Sequence, residues 1–144
     1  MLKAVLAVVA GYLTMAIAVA ILTLGLFLLL GPDRAFQPGT YEVSTAWVIA
    51  CFAASLLSAI IGGFICRRIS GLGAVKALAA LVVVLGLLLA LPALNPANDP
   101  RPLVRPPDTP SLVALTNSRQ PPWAAMAFPV VGAIGVLIGG RGKR

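Results

Sequence analysis

Side chains that could perform chemistry are scarce in this 144-residue sequence. It contains two cysteines, four acidic residues and no histidine. The absence of histidine excludes imidazole acid–base catalysis and metal or haem ligation by imidazole. Cys51 and Cys66 are 15 residues apart, which is about 22 Å along a helix and far beyond the reach of a disulfide. We therefore interpret both thiols as small packing residues.

The acidic residues do not form a reactive cluster. They are Asp33, Glu42, Asp99 and Asp108. None lies within an apolar stretch, whereas ion-coupled transport usually depends on an ionisable group inside the membrane. We expect Ser55 and Ser58 to donate to carbonyls of their own helix rather than to act as nucleophiles. The sequence thus predicts no enzymatic activity and no catalytic, cofactor-binding or metal-binding residue.

These few polar side chains are set in a chain that is 60% hydrophobic and only 10% charged. A domain this short cannot hide so much apolar surface from water in one core. Four continuous stretches reach the roughly 20 apolar residues that span hydrocarbon as a helix, and their lack of alternation excludes a β-barrel. They cover residues 4–30, 44–66, 74–94 and 123–140. The sequence predicts an all-α integral membrane protein, a bundle of four transmembrane helices in a single domain, residues 1–144.

The first stretch could also be read as a signal peptide, because Lys3 precedes an apolar run. A secretory apolar region is only about 7–15 residues long. The first stretch is much longer, so we interpret it as an uncleaved helix.

The charges of the connecting segments predict an orientation. Residues 31–43 carry a net −1, residues 67–73 with Lys76 carry +3, residues 95–122 carry +1, and the tail after residue 140 carries +3. Short basic segments stay in the cytoplasm. We therefore expect a bacterial inner membrane protein with both termini and loop 67–73 cytoplasmic, and with outer loops 31–43 and 95–122.

Aromatic and basic residues near the ends of the stretches are typical of membrane-interface anchors. These residues are Tyr41, Trp47, Trp123, Arg67 and Arg68. The overall charge of +7 is divided among several loops and forms no basic stripe with interleaved aromatic residues, so it does not favour nucleic acid. We expect the cations to contact membrane lipids instead.

Small residues recur at helical spacing and mark faces where helices approach closely. The predicted packing face consists of Ala50, Ala54, Ser58, Gly62, Gly63, Gly135 and Gly139. Such a face can pack inside this chain's own bundle, or it can dock another subunit or a second copy of the chain. The spacing does not distinguish these alternatives.

The segment 95–122, which we call the strap, is rich in proline. Nine of the twelve prolines lie between Pro92 and Pro122, and proline favours a stiff, extended backbone. Thr109 and Pro110 predict the start of a short helix, with Thr109 as its N-cap. Leu112, Val113 and Leu115 are candidate contacts with an outer partner. The alternative is a disordered linker between two helices.

The run 71–92, with its KALAALVVVLGLLLALP pattern, and the overall hydropathy plan resemble those of small bacterial four-helix inner-membrane proteins with no assigned function. The resemblance implies a multi-pass membrane fold. It implies no activity, no cofactor and no functional residue.

Two functional hypotheses follow. The first is a non-catalytic accessory subunit of a larger bacterial membrane complex, acting through helix packing and the strap, with other membrane-protein subunits as partners. The second is a small transporter or channel for a neutral or lipid-like solute. A continuous polar cavity between the helices would favour the second.

Overall fold

The computed structural model describes residues 1–95 and 99–141, and it is all-helical apart from isolated β-bridges. Four helices are long and apolar enough to cross a membrane, so by length and composition the chain is a multi-pass membrane protein. The helices are α1 (Leu2–Leu30), α2 (Pro32–Ala35), α3 (Thr45–Ser70), α4 (Leu72–Ala90), α5 (Ser111–Thr116) and α6 (Pro122–Gly139), with a 3₁₀ turn at Leu91–Leu94.

The connection between α3 and α4 is shorter than the sequence predicted. The prediction of a loop at residues 67–73 is wrong, because α3 continues to Ser70 and only Gly71 separates it from α4. Gly71 has a φ of 101°, which side chains rarely tolerate and glycine does. Arg67 and Arg68 occupy the last turn of α3, where cations interact favourably with the carbonyl end of the helix, and so they prolong it.

Polar and proline residues position the starts of the helices at the opposite end. The Ser44 hydroxyl accepts a hydrogen bond from the Trp47 N–H at 3.1 Å and donates one to the Arg34 carbonyl at 2.6 Å. Ser44 therefore caps α3 and ties it to α2. Pro122 stands in the first turn of α6, where its missing N–H would have had no helical partner.

The four long helices form a ring in which α1 packs on α3, α3 on α6, α6 on α4, and α4 on α1. Glycines allow the closest approaches. A Cβ on Gly62 would lie 2.7 Å from the Gly11 carbonyl oxygen. A Cβ on Gly63 would collide with the Val136 carbonyl. These crossings bring backbones together as small residues do in membrane helices.

The two ends of the ring differ in content. At the glycine end, where α1 and α4 begin and α3 and α6 end, the buried cluster consists of Ala7, Ala59, Cys66, Ala74, Val75, Leu78, Ala79, Val82 and Val136. At the cap end, where α1 and α4 end and α3 and α6 begin, it consists of Phe27, Ala35, Phe36, Tyr41, Val43, Trp47, Val48, Cys51, Ala114 and Ala124. The candidate site lies in the cap-end half.

Candidate functional site

The two connections at the cap end pair with each other. Thr40 and Val104 form an antiparallel bridge, and Glu42 and Arg119 form a parallel one. The Arg119 N–H donates to the Tyr41 carbonyl at 2.8 Å. The described part of the strap therefore crosses over the connection between α2 and α3.

An ion-pair cluster fastens the two ends of the strap together, and we call it the clasp: Asp99, Arg101 and Arg119. The Asp99 carboxylate accepts hydrogen bonds from Arg101 Nη2 at 2.7 Å and Nε at 2.9 Å, and Arg119 Nε lies 3.4 Å from it. Arg101 Nη1 also donates to the Ser118 carbonyl at 2.6 Å. The clasp closes the strap into a loop.

The clasp perturbs the titration of its members. The side-chain hydrogen bond from Arg101, followed by that from its backbone N–H, holds the pKa of Asp99 well below the usual aspartate range. The same side-chain hydrogen bond raises the pKa of Arg101. The charge pair therefore persists into acidic solution.

A second contact holds the middle of the strap. The Arg105 guanidinium lies over the Phe36 ring, 5.6 Å from its centroid, and its Nη2 is 3.4 Å from an Asp33 oxygen. The Arg105 side chain is only 9% exposed, whereas that of Asp33 is 94% exposed. Stacking and burial of the arginine stem therefore contribute more here than the long ion pair does.

Aromatic rings form the floor beneath the strap. The Phe27 ring meets the Trp47 ring edge to face at 5.6 Å, and the Phe36 and Tyr41 rings are 6.5 Å apart. The prediction that Tyr41 and Trp47 present their rings to lipid headgroups is wrong, because the two residues are only 4% and 3% exposed. They pack within the chain because the strap covers them. Trp123 is 59% exposed, and its role as an anchor stays a prediction.

The short helix α5 is seated on this floor. Ala114 is fully buried, and Leu115 packs against the cap-end cluster. Leu112 and Val113 are exposed. Helix α5 begins at Ser111 with Pro110 as its N-cap, one residue later than predicted. Thr109 does not cap it, and its hydroxyl donates instead to the Pro106 carbonyl at 2.7 Å.

The predicted packing face lies inside the ring. Gly62 faces Gly11 of α1, Gly63 faces the Val136 carbonyl of α6, and Gly139 faces the Ile60 carbonyl of α3. Gly135 meets Ala59 in the same α3–α6 contact. The remaining members lie on α3, with Ala54 and Ser58 buried and Ala50 half-buried. This chain's own helices therefore occupy the close contacts of these glycines.

The predicted basic anchors lie at the glycine end. Arg67 is half-buried and Arg68 is exposed, with its guanidinium 4.9 Å from the centroid of the Phe64 ring. The tail cations Lys143 and Arg144 were counted in the charge that predicts the orientation, and they lie outside the described residues.

A cavity of about 400 Å³ lies between the four long helices and extends from their middle to the cap end. Its walls include Val19 of α1, Cys51 of α3, Leu85 of α4 and Phe128 of α6. Its polar side chains are Tyr12, Thr23, Ser55 and Gln120. The lining is predominantly apolar and contains no charged residue, so the cavity suits a lipid-like rather than a strongly polar solute.

The polar groups of the cavity have no partner among the residues that the structure describes. Within residues 1–95 and 99–141, the side chains of Tyr12, Thr23, Ser55 and Gln120 form no hydrogen bond. Ser58, by contrast, donates to the Ala54 carbonyl at 2.7 Å as predicted. The same prediction for Ser55 is wrong, because Ser55 faces the cavity.

Sequence reasoning missed Tyr12, Thr23 and Gln120 as cavity residues. The available signal was that Tyr12 and Thr23 are among the few polar side chains inside the first apolar stretch. The clasp was missed as well, since its members lie 2 and 18 residues apart in a segment without periodicity.

A second cleft, of about 810 Å³, lies under the strap beside the clasp. Its charged lining residues are Glu42, Asp99, Arg101 and Arg119, two of each sign. Because the charges balance, the cleft favours neither an anion nor a cation. Gln120 lines this cleft as well as the cavity between the helices.

Neither metal ligation nor thiol chemistry is suggested by the described part of the chain. It holds no group of three or more His, Cys, Asp or Glu residues that could bind a metal ion, and Cys51 and Cys66 are free and buried. Comparison of the chain with protein-family models, with curated proteins and with solved structures found no match.

Proposed function

We propose that the chain is a non-catalytic accessory subunit of a larger bacterial membrane complex, which it contacts through the strap. The observation that supports this is a set of exposed apolar side chains on a segment that the protein itself holds in place. They are Leu103, Val104, Leu112 and Val113. Val104 is 73% exposed and Leu112 is 65% exposed, although the backbone bridges, the clasp and α5 fix their surroundings. An ordered apolar surface outside the long helices suits a protein partner.

The proposed orientation places the cap end outside the bacterial inner membrane and both termini in the cytoplasm. All four acidic residues lie in the cap-end connections. The cations Lys3, Arg67, Arg68, Lys76 and Arg141 lie at the glycine end. This distribution supports the orientation, since cytoplasmic segments of membrane proteins carry the excess of lysine and arginine.

The contacts of the glycines within the bundle restrict which surface is left for a partner. Because Gly62, Gly63 and Gly139 already contact this chain's own helices, the partner is expected to contact α5 and residues 103–104. A second copy of the chain is the alternative partner at the same surface.

The test is site-specific photocrosslinking in native membranes, with a photoreactive amino acid at position 112 or 113 and a control at the exposed, polar Asp33. A complex subunit gives one defined protein adduct from positions 112 and 113, lost in a variant carrying both Leu112→Ser and Val113→Ser. The complex also migrates above the monomer in mild detergent. Lipid adducts alone, together with a lone monomer, would contradict the proposal.

A second candidate function is transport of a neutral or lipid-like solute, and the cavity between the helices supports it. Reconstitution into liposomes tests it directly. Movement of a neutral lipid between leaflets faster than in protein-free vesicles would support a transporter, and an unchanged rate would exclude it.

A further inference from the structure

The four long helices line an open cavity, and its hydroxyls have no hydrogen-bond partner within residues 1–95 and 99–141. In hydrocarbon, an unsatisfied hydroxyl has a high free-energy cost, and serine or threonine in a membrane helix usually avoids it by donating to the carbonyl four residues earlier. Thr14 and Ser58 do so, at 2.8 Å and 2.7 Å. Thr23 and Ser55 line the cavity and do not.

The depth of these hydroxyls separates them from the water at the cap end. Thr23 lies seven residues before the end of α1, and Ser55 lies ten residues after the start of α3. These separations correspond to about 10 and 15 Å along the helices. The two hydroxyls therefore lie at similar depths on the neighbouring helices α1 and α3, deeper in the bundle than Gln120, which precedes α6.

The composition of the cavity wall restricts which groups could form hydrogen bonds with the Thr23 and Ser55 hydroxyls. Among the described residues, no charged side chain lines the cavity, and the surrounding side chains include Val19, Leu85, Leu89 and Phe128. A charged ligand group would be buried there without a counter-ion, at a large cost. An ordered water needs two to four polar partners, which this predominantly apolar wall supplies only sparsely.

In a membrane, the side of the cavity between α1 and α4 would face lipid. Helices α1 and α4 meet at the glycine end, through Gly11 and Leu78. Closer to the cap end, Val19 of α1 and Leu85 of α4 are walls of the cavity instead. The volume of about 400 Å³ lies near the lower end of the range for ligand pockets, and it is suited to one narrow molecule.

We propose that this cavity binds an uncharged, single-chain lipid whose oxygen atoms hydrogen-bond to Thr23 and Ser55. The polar head reaches down from Gln120, and the chain lies along the apolar side chains of α1 and α4. The inference deepens the second candidate function, but binding does not require transport, and it holds equally for an accessory subunit that carries a bound lipid.

The probe for the test is a photoactivatable monoacylglycerol incorporated into liposomes with the purified full chain. Labelling is mapped by mass spectrometry. We expect saturable labelling of the cavity walls on α1 and α4, competed by unlabelled monoacylglycerol. A short-chain quinone in a parallel competition shows whether carbonyl oxygens on a ring bind equally well. Oleate, which is anionic, is expected not to compete.

The variant pair makes the test specific for the hydroxyls. Thr23→Val combined with Ser55→Ala removes both groups with little change in volume and is expected to reduce labelling about tenfold at sub-saturating probe. The matched control combines Thr14→Val with Ser58→Ala, whose hydroxyls bond to their own helix, and it should leave labelling unchanged. Val19→Phe, which fills the cavity, should also abolish labelling of its walls. Thermal unfolding in detergent confirms that each variant is folded.

Labelling that is not saturable, or that is equal in the cavity and control double variants, would overturn the proposal. Competition by oleate as strong as that by monoacylglycerol would overturn the choice of an uncharged ligand. Saturable binding without lipid movement in the liposomes would exclude transport and leave the binding site intact. Failure of the proposed lipid binding and failure of the proposed transport are therefore distinguishable.

Discussion

The glycine end and the cap end of the same four helices are packed by opposite means. At the glycine end, Gly11, Gly62 and Gly63 bring backbones into direct contact. At the cap end, Phe27, Phe36 and Trp47 stand between the helices. Small side chains leave no space between backbones, whereas rings hold helices apart. The cavity extends from Val82, a member of the glycine-end cluster, to Gln120 at the cap end.

The difference extends to the charges and the connections. A single residue, Gly71, links two helices at the glycine end, whereas two long connections pair at the cap end. The cap end also carries the four acids and the exposed apolar side chains of the strap, while the cations at the glycine end have no acid near them in sequence. We infer that the glycine end provides rigidity and that recognition is concentrated at the cap end.

Removing a central ring should cause the largest loss of stability. Trp47→Ala deletes a side chain that is 3% exposed and contacts Phe27 edge to face, leaving a cavity beneath the strap. We expect the free energy of unfolding to fall by about 3–5 kcal/mol. Unfolding in mixed detergent micelles measures this change.

The matched control is Trp123→Ala, at a tryptophan of the same end that is 59% exposed. We expect a loss below about 1 kcal/mol there. Equal losses at the two positions would contradict the assignment of Trp47 to the core of the cap.

At the glycine end, adding a single methyl group at Gly63 should destabilise the protein. A Cβ on Gly63 would collide with the Val136 carbonyl, so Gly63→Ala must push α3 and α6 apart. We expect a loss of about 1–3 kcal/mol. The same unfolding assay applies.

Gly25→Ala provides the comparison, because a Cβ on Gly25 would meet nothing within 4 Å. Alanine is the better helix former, so this variant should be neutral or more stable by about 0.5–1 kcal/mol. If both glycines responded alike, helix propensity rather than close packing would account for the Gly63 result.

The sequence predicts the glycine end better than the cap end. Periodic small residues and apolar length are local signals, so the four long helices and the small-residue faces could be located. The one-residue link at Gly71 was missed because Arg67 and Arg68 were interpreted as a helix boundary. They lie instead in the favourable last turn of α3.

The cap end depends on contacts between distant residues. Tyr41 bonds to Leu103 and Arg119 through backbone groups, more than 60 residues along the chain, and backbone pairing leaves no residue-type signature. The burial of Tyr41 and Trp47 follows from that pairing. An interfacial aromatic residue and one buried under a strap therefore look alike in the sequence.

A smaller effect is expected from opening the clasp. Asp99→Asn removes the charge that binds Arg101 and Arg119. Trypsin cuts poorly before proline, so the bonds after Arg101 and Arg105 resist it, and cleavage after Arg119 reports on the clasp. We expect cleavage there to become roughly two- to fivefold faster. Asp108→Asn, in the same strap but outside the clasp, should leave the rate unchanged.

The smallest expected effect is the response of the clasp to pH. Hydrogen bonds from Arg101 hold the pKa of Asp99 in the folded protein well below its usual range. A lowered carboxyl pKa contributes stability that is complete above the unfolded pKa of about 3.9 and disappears as the pH falls toward the folded pKa. The difference in thermal midpoint between the wild type and Asp99→Asn should therefore stay constant from pH 7 to about pH 5, and shrink only below about pH 4. The wild type and the variant differ only at position 99, so contributions from the rest of the chain cancel to first order in this difference. A difference that already shrinks between pH 7 and pH 5 would show that Arg101 does not hold Asp99 in its ionised form, and the strap would then lack the fixed ends on which its proposed role in recognition depends.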